Sequence, residues 1–161
     1  MTNNISQFMK RAACHEAGHI VMAFELAIRI KSVRVVDGVL FTDVMEDDLD
    51  SASRPAMERY AFLAGGIAAE KFKLGDYDRG AMGNDQEKVT QRNGAAIEIY
   101  IPDALRILAT KEACLDRIRK QLTTKWIEAR AAAQFDPDPD SYLIMSTTEL
   151  DKILRYCKAD I

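Results

Sequence analysis

Two histidines flank a glutamate in a short segment near the start of the chain. The segment reads His15-Glu16-Ala17-Gly18-His19, and apolar residues recur around it with helical spacing. Side chains four residues apart lie on one face of a helix, so both imidazoles can reach a single ion. Neutral imidazole suits zinc, and Glu16 is then placed to take a proton from a water whose pKa the metal lowers to about 7. The pattern therefore predicts zinc-assisted hydrolysis, with His15 and His19 as ligands and Glu16 as general base.

A hydrolytic zinc site uses three protein ligands and keeps a fourth position open, so one more ligand must come from elsewhere in the chain. The extended metzincin pattern needs glycine at position 22 and histidine at position 25, where this chain has Met22 and Glu25. Cys14 is offset by about 100° from His15 around the helix, so it points away from the zinc face. The residues alone leave three acidic candidates open: Glu58, Glu70 and Asp85.

The histidine pair also has an interpretation without a metal. Both could be helix-face histidines that make hydrogen bonds at the surface or in the core. However, the chain has only two histidines, and both lie in this motif. Chance placement of both at this spacing around a glutamate is on the order of one in a thousand, so the pattern favours a metal site.

The motif must be positioned by a mostly helical chain. Periodicity predicts a helix over 5–28 with Asn4 or Ser6 as its cap, and two strand-like runs at 31–36 and 39–45 flank the turn pair Asp37-Gly38. Further helices are predicted over 53–72, from about 83, over 102–134, and from a capping box at 146–149 to about 156. The expected fold is mostly α (α+β), compact, with one small β-hairpin. It forms a single domain over residues 1–161, with the motifs in about 5–100 and the C-terminal helices in about 102–158.

A glycine pair lies in the middle of the predicted helix over 53–72. Each interior glycine costs a helix about 1 kcal/mol relative to alanine, so the pair Gly65-Gly66 suggests close approach to another backbone. We expect this helix to pack on the helix of the histidine motif near Gly18.

Composition bounds the class of protein. The chain has 161 residues, of which 48% are hydrophobic and 29% charged, and its net charge is −3. These values exclude disordered and low-complexity chains and offer no electrostatic case for a nucleic-acid partner. The cysteines Cys14, Cys114 and Cys157 contain no CxxC pair, so we expect no disulfide framework and a reducing compartment. Because no apolar stretch is long enough to span a bilayer, we expect a cytoplasmic protein with no membrane partner.

Three motifs occur in a fixed order: the segments 15–19 (HEAGH), 64–70 (AGGIAAE) and 83–88 (GNDQEK). This ordered set, over about residues 8–95, resembles the protease domain of the FtsH-type ATP-dependent zinc metalloproteases. The resemblance implies that His15 and His19 bind zinc, that Glu16 is the general base, and that Asp85 is the third ligand. It leaves Glu70 to support the ligands without touching the metal, against the alternative that Glu70 is an ordinary solvated helix residue.

The chain also departs from that family. Ile67 stands where the family usually has arginine, and Ala81-Met82 stands where a Gly-Ala pair precedes the third motif. Gly75 and Gly80 have the glycine spacing of a P-loop, but Ala81-Met82 occupies the positions where lysine and serine or threonine must bind phosphate and magnesium. We therefore expect no ATPase activity in this chain, and any ATP dependence would require a separate ATPase partner.

The second run of the predicted hairpin is a candidate substrate site. Proteases of this kind can hold an extended peptide as an added strand beside the metal. The predicted substrate-binding residues are Val39, Leu40, Phe41, Thr42, Asp43 and Val44. The alternative is a hairpin that only covers the core.

Taken together, the motifs predict a stand-alone zinc metallopeptidase that acts on peptides or unfolded proteins. Two alternatives stay open. One is a catalytically silent zinc-binding module derived from such a protease, and the other is a helical interaction module without a metal.

Overall fold

The computed structural model describes residues 6–78, 80, 83–93 and 95–159. Its α-helices are α1 (Gln7–Glu25), α2 (Glu46–Leu49), α3 (Ala56–Leu74), α4 (Gly83–Asn93), α5 (Ile101–Ala109), α6 (Glu112–Ala133) and α7 (Thr147–Ala159). A 3-10 helix covers Ile97–Tyr100, and the strands are β1 (Ile30–Val36), β2 (Val39–Val44) and β3 (Tyr142–Ser146). Within these ranges, every helix is too short or too polar to cross a lipid bilayer. The predicted fold class, mostly α with a small sheet, is confirmed.

Helix α1 lies at the centre of the molecule. The hydroxyl of Ser6 accepts the N–H of Met9 at 3.1 Å and caps the helix, so one of the two predicted caps is confirmed. Helices α3, α5 and α6 and strand β2 all pack on α1. The stretch from Ala13 to Ala23 is consequently buried without interruption. The histidine motif therefore lies inside the protein.

Helices α1 and α3 approach each other closely where Gly18 faces Gly65. A Cβ atom on Gly18 would overlap the carbonyl oxygen of Gly65 and would lie 2.6 Å from the Cβ of Ala69. Only glycine permits this approach of two helix backbones, and the predicted packing near Gly18 is confirmed.

We expect Gly18→Ala to lower the free energy of unfolding by about 1–3 kcal/mol, because the obstruction is backbone that cannot rotate away. Gly65→Ala is the comparison variant, for which we expect a smaller loss of stability. Its Cβ would lie 2.7 Å from Cγ of Met22, a flexible side chain that can move, so the loss should be smaller. Urea unfolding of both variants measures the difference. A larger loss for Gly65→Ala would contradict this account.

The sheet has β1 between β2 and β3, and both neighbours are antiparallel to it. Asp37 and Gly38 have φ values of 50° and 79°, the left-handed conformation that a tight hairpin turn requires, so the predicted hairpin is confirmed. Strand β3 was not predicted. Its five residues are too few for periodicity to distinguish a strand from a helix. It also joins the hairpin from far along the chain: the N–H of Asp37 donates to the hydroxyl of Ser141, 104 residues later, at 3.1 Å.

The prediction of one continuous helix over 102–134 is wrong, because the helix is divided into α5 and α6. The N–H groups of Thr110 and Lys111 donate to the carbonyls of Ile107 and Leu108, three residues back, at 3.1 and 3.0 Å. The Thr110 hydroxyl also donates to the Ile107 carbonyl at 2.7 Å and so competes with the helical pattern. Leu108 and Leu115 on the two sides of the break are both 0% exposed. The apolar stripe is therefore continuous across the break and conceals it.

The sequence predicted no disulfide framework, and it gave no sign of the disulfide bond that the structure contains. Cys114 on α6 and Cys157 on α7 form a disulfide bond, and both are buried. Spacing along the chain gives no information about this pair, because their proximity depends on how two helices pack. The bond removes the basis for expecting a reducing compartment. Cys14 is free and 0% exposed, as expected for a residue that packs in the core.

Candidate metal centre

The two motif histidines present their Nε2 atoms to the same point. His15 and His19 lie one turn apart on α1, and each is 5% exposed. Their Nε2 atoms are 3.2 Å apart. Two ring nitrogens at this separation can share one cation.

Asp85 completes the group from the first turn of α4, where the helix dipole also favours a carboxylate. Its Oδ2 atom is 3.1 Å from Nε2 of His15 and 3.0 Å from Nε2 of His19. Ligand atoms about 2.0–2.1 Å from a tetrahedral zinc ion lie about 3.3–3.4 Å from one another, close to these separations. The His15, His19 and Asp85 group could therefore hold a metal ion.

The Nδ1 atoms of both histidines, on the side of each ring away from Asp85, also have hydrogen-bond partners. Nδ1 of His15 lies 2.7 Å from Oε2 of Glu70, and Nδ1 of His19 lies 3.1 Å from the carbonyl oxygen of Phe62. A carbonyl only accepts hydrogen bonds, so Nδ1 of His19 carries a proton, and Nε2 is the ring nitrogen left to bind a metal ion once it is deprotonated. Metal-binding histidines in proteins are commonly oriented in this way. Glu70 is 0% exposed, so it is not the solvated helix residue of the alternative interpretation.

Gly66 has a role that the sequence analysis missed. A Cβ atom on Gly66 would overlap the imidazole ring of His15. Gly65 therefore permits the approach of the two helices, while Gly66 makes room for a ring of the metal centre. The glycine pair was visible in the sequence, but the rotation of α3 decides which glycine faces which neighbour.

The electrostatics of the group favour a positive charge. Burial lowers the pKa of His15, but hydrogen bonds to Asp85 and Glu70 and the charge of Glu16 outweigh it and raise the pKa to about 10. Burial also lowers the pKa of His19, but the charge of Asp85 outweighs this effect, so the pKa of His19 is raised. Burial raises the pKa of Asp85, yet the two imidazoles hold that pKa well below its usual range. Carboxylates crowded around two buried imidazoles thus create a site for a proton or a metal cation.

Glu16 lies beside the group but makes different contacts. Its Oε2 atom accepts hydrogen bonds from the N–H of Thr42 at 2.9 Å and from the Thr42 hydroxyl at 2.7 Å. The residue is 8% exposed. Strand β2 therefore fixes the orientation of Glu16.

A cavity of about 420 Å³ borders the group. Its wall contains residues of the histidine motif, of α4 and of β2. They include His15, Glu16, Asp85, Val39, Leu40 and Phe41. The cavity therefore lies where the candidate metal ligands, Glu16 and one part of β2 meet.

The predicted substrate residues are divided by the structure. Val39, Leu40 and Phe41 line the cavity, and Thr42 binds Glu16. Asp43 pairs with Ser32 of β1, and Val44 is buried in the core at 3% exposure, so these two lie farther along the strand.

Two other ligand candidates lie outside the group. Glu58 forms an ion pair with Arg54 at 3.2 Å. The thiol of Cys14 donates to the carbonyl of Ala69 at 3.4 Å, and burial raises its pKa to about 11. Neither belongs to the group of described residues that could hold a metal ion.

No family model matches this chain, and no curated protein matches its sequence. The resemblance to the FtsH-type protease domain therefore depends on the three ordered motifs and stays a prediction.

Proposed function

We propose that this chain is a zinc-dependent metallopeptidase that hydrolyses peptide bonds in peptides or unfolded proteins. One observation carries the proposal: His15, His19 and Asp85 converge beside a cavity whose wall includes His15, Asp85 and Glu16. A structural zinc site uses four protein ligands and is closed, whereas a catalytic site uses three and keeps one position open. The described residues supply three, next to a space that a substrate can enter.

Zinc suits this set of donors. Calcium and magnesium prefer oxygen ligands, whereas imidazole nitrogen with one carboxylate is a common zinc set. Nε2 of His15, Nε2 of His19 and Oδ2 of Asp85 would hold the ion. Bound there, zinc would polarise the scissile carbonyl and lower the pKa of the attacking water.

Glu16 would act as the general base. It follows His15 directly on α1 and borders the same cavity, so it lies near the place where a scissile bond would be held. Two hydrogen bonds from Thr42 fix the carboxylate. Both are accepted by Oε2, and neither involves Oε1. Glu16 would accept the proton of the water and deliver it to the leaving amine.

Strand β2 would hold the substrate. In the described sheet β2 is an outer strand, and the N–H of Thr42 points to Glu16, away from β1. Backbone groups alternate along an antiparallel strand, so those of Leu40 face the same edge. An extended peptide could add to β2 at Leu40 and end at Glu16, next to the metal ligands. Main-chain hydrogen bonds accept many sequences, which suits peptides and unfolded proteins. Folded substrates would require a separate ATPase partner that unfolds them.

Zinc binding and hydrolysis test the proposal directly. The purified chain is loaded with zinc, its metal content is measured, and casein is offered as an unstructured substrate without ATP. We expect about one zinc ion per chain and cleavage that a chelator abolishes. Zinc binding without cleavage of casein or of a peptide library would indicate the catalytically silent module. No zinc binding would leave only the helical interaction module.

A further inference from the structure

Arg11 connects three segments of the metal centre. It lies one helical turn before His15 on α1. Its Nη1 donates to Oε1 of Glu70 on α3 at 2.9 Å, and its Nη2 donates to Oδ1 of Asp76 at 2.6 Å. Asp76 follows α3 in the segment that leads to α4 and Asp85. One side chain thus joins the helix of the two histidines, the helix of Glu70 and the approach to Asp85.

Glu70 is the contact through which Arg11 reaches the metal ligands. Its carboxylate is 0% exposed, and each oxygen has a separate partner: Oε2 contacts Nδ1 of His15 at 2.7 Å, while Oε1 accepts from Arg11 and from the N–H of Asp78 at 3.3 Å. A buried carboxylate is costly unless a cation and hydrogen bonds compensate it. Arg11 supplies the cation, and its hydrogen bond to Oε1 helps to hold the carboxylate that orients His15.

The contact of Arg11 with Asp76 affects a different ligand, Asp85. Asp85 comes from a separate helix, so its position relative to the imidazoles depends on the segment between α3 and α4. Nη2 of Arg11 donates to Oδ1 of Asp76 at 2.6 Å and Nη1 donates to the carbonyl oxygen of Asp76 at 3.5 Å, so these contacts tie the segment to α1.

We propose that Arg11 is a positioning residue of the metal centre, which orients His15 through Glu70 and holds the segment leading to Asp85 through Asp76. The proposal rests on the zinc site proposed above. Its consequence is that zinc affinity depends on Arg11 although Arg11 is not itself a ligand. Mutation of a group that orients a metal ligand through a hydrogen bond typically weakens metal binding by about 10- to 100-fold.

The zinc dissociation constant, measured by competition with a chelator, tests the proposal. Arg11→Met keeps an unbranched side chain and removes the charge, and we expect about 10- to 100-fold weaker binding. Lys10→Met removes the same charge from the adjacent exposed position and should leave the constant unchanged. Arg11→Lys should recover only part of the loss, because an ammonium group lacks the planar fork that contacts two carboxylates. The visible spectrum of bound cobalt(II) should change in Arg11→Met and not in Lys10→Met.

Asp76→Ala provides a variant at an exposed position, in case Arg11→Met does not fold, and it removes the carboxylate that accepts from Nη2 of Arg11. It leaves the Arg11 contact with Glu70 in place, so we expect a smaller loss of affinity, toward the lower end of the roughly 10- to 100-fold range. Wild-type affinity and an unchanged cobalt spectrum in Arg11→Met would overturn the proposal and leave the zinc site intact. If Arg11→Met fails to fold, unchanged affinity in Asp76→Ala would overturn it in the same way. A wild-type protein that does not bind zinc would overturn the proposed function first.

Discussion

Asp85→Ala should weaken zinc binding more than any other single change outside the histidine motif. The variant loses one of three ligand atoms, so we expect a larger loss than the roughly 10- to 100-fold that follows from removing a group behind a ligand. Glu70→Gln is the comparison, because Glu70 contacts Nδ1 of His15 and not the side of the ring that faces Asp85. Its loss should stay within that range.

Thermal unfolding with and without zinc is a second measurement of how much zinc affinity Asp85→Ala loses. A ligand that binds only the folded protein stabilises it by about 2.7 kcal/mol when its concentration is 100 times the dissociation constant. Wild type and Glu87→Ala, an exposed change on the same helix, should therefore show a zinc-dependent rise in Tm. Asp85→Ala should lose most of that rise. If Asp85→Ala retained its zinc and Glu70→Gln did not, Glu70 would be the third ligand instead.

The contrast between Asp85 and the histidines explains what the sequence could predict about the site. His15 and His19 are four residues apart, and helical geometry alone places them together. Asp85 is 66 residues from His19, and the residues by themselves did not distinguish it from Glu58 or Glu70. The family pattern selected it, and the fold brings it to the two imidazoles.

The contacts of Arg11 and Gly66 at the candidate metal centre could not be predicted from the sequence. Arg11 lies one turn before His15, and this spacing could have indicated a cation on the metal face of α1. Its partners Glu70 and Asp76 are 59 and 65 residues away, however, and their proximity depends on the packing of α3. The contact of Gly66 with the ring of His15 depends on the same packing.

The elements were predictable where their signals are local. The hairpin depends on Asp37-Gly38, and the capping box at the start of α7 is present: the N–H of Glu149 donates to the Ser146 hydroxyl at 3.3 Å. Strand β3 and the disulfide depend on partners far along the chain. The break at Thr110 follows from a hydroxyl that competes with the backbone in a stretch with neither glycine nor proline.

Glu16→Gln should abolish hydrolysis and leave zinc bound. Glutamine has the size of glutamate, and its amide oxygen can still accept both hydrogen bonds from Thr42, so the side chain should keep its place. The amide cannot accept the proton of the attacking water. Losing a positioned general base typically costs about 10²- to 10⁴-fold in rate, and the loss should appear in kcat because the β2 edge that holds the peptide is untouched.

Glu25→Gln is the matched control for this change. Glu25 ends α1 and lies 3.6 Å from Lys111, so the variant has the same change of charge on the same helix, away from the cavity. It should retain wild-type kcat and zinc content. Full activity in Glu16→Gln would rule out Glu16 as the base. A loss of zinc together with activity would show that Glu16 supports the metal, and proton transfer would then need another residue. Loss of kcat with zinc retained is the result that separates a peptidase from a zinc-binding module, because a module that only binds the metal has no step in which the Glu16 carboxylate must take a proton.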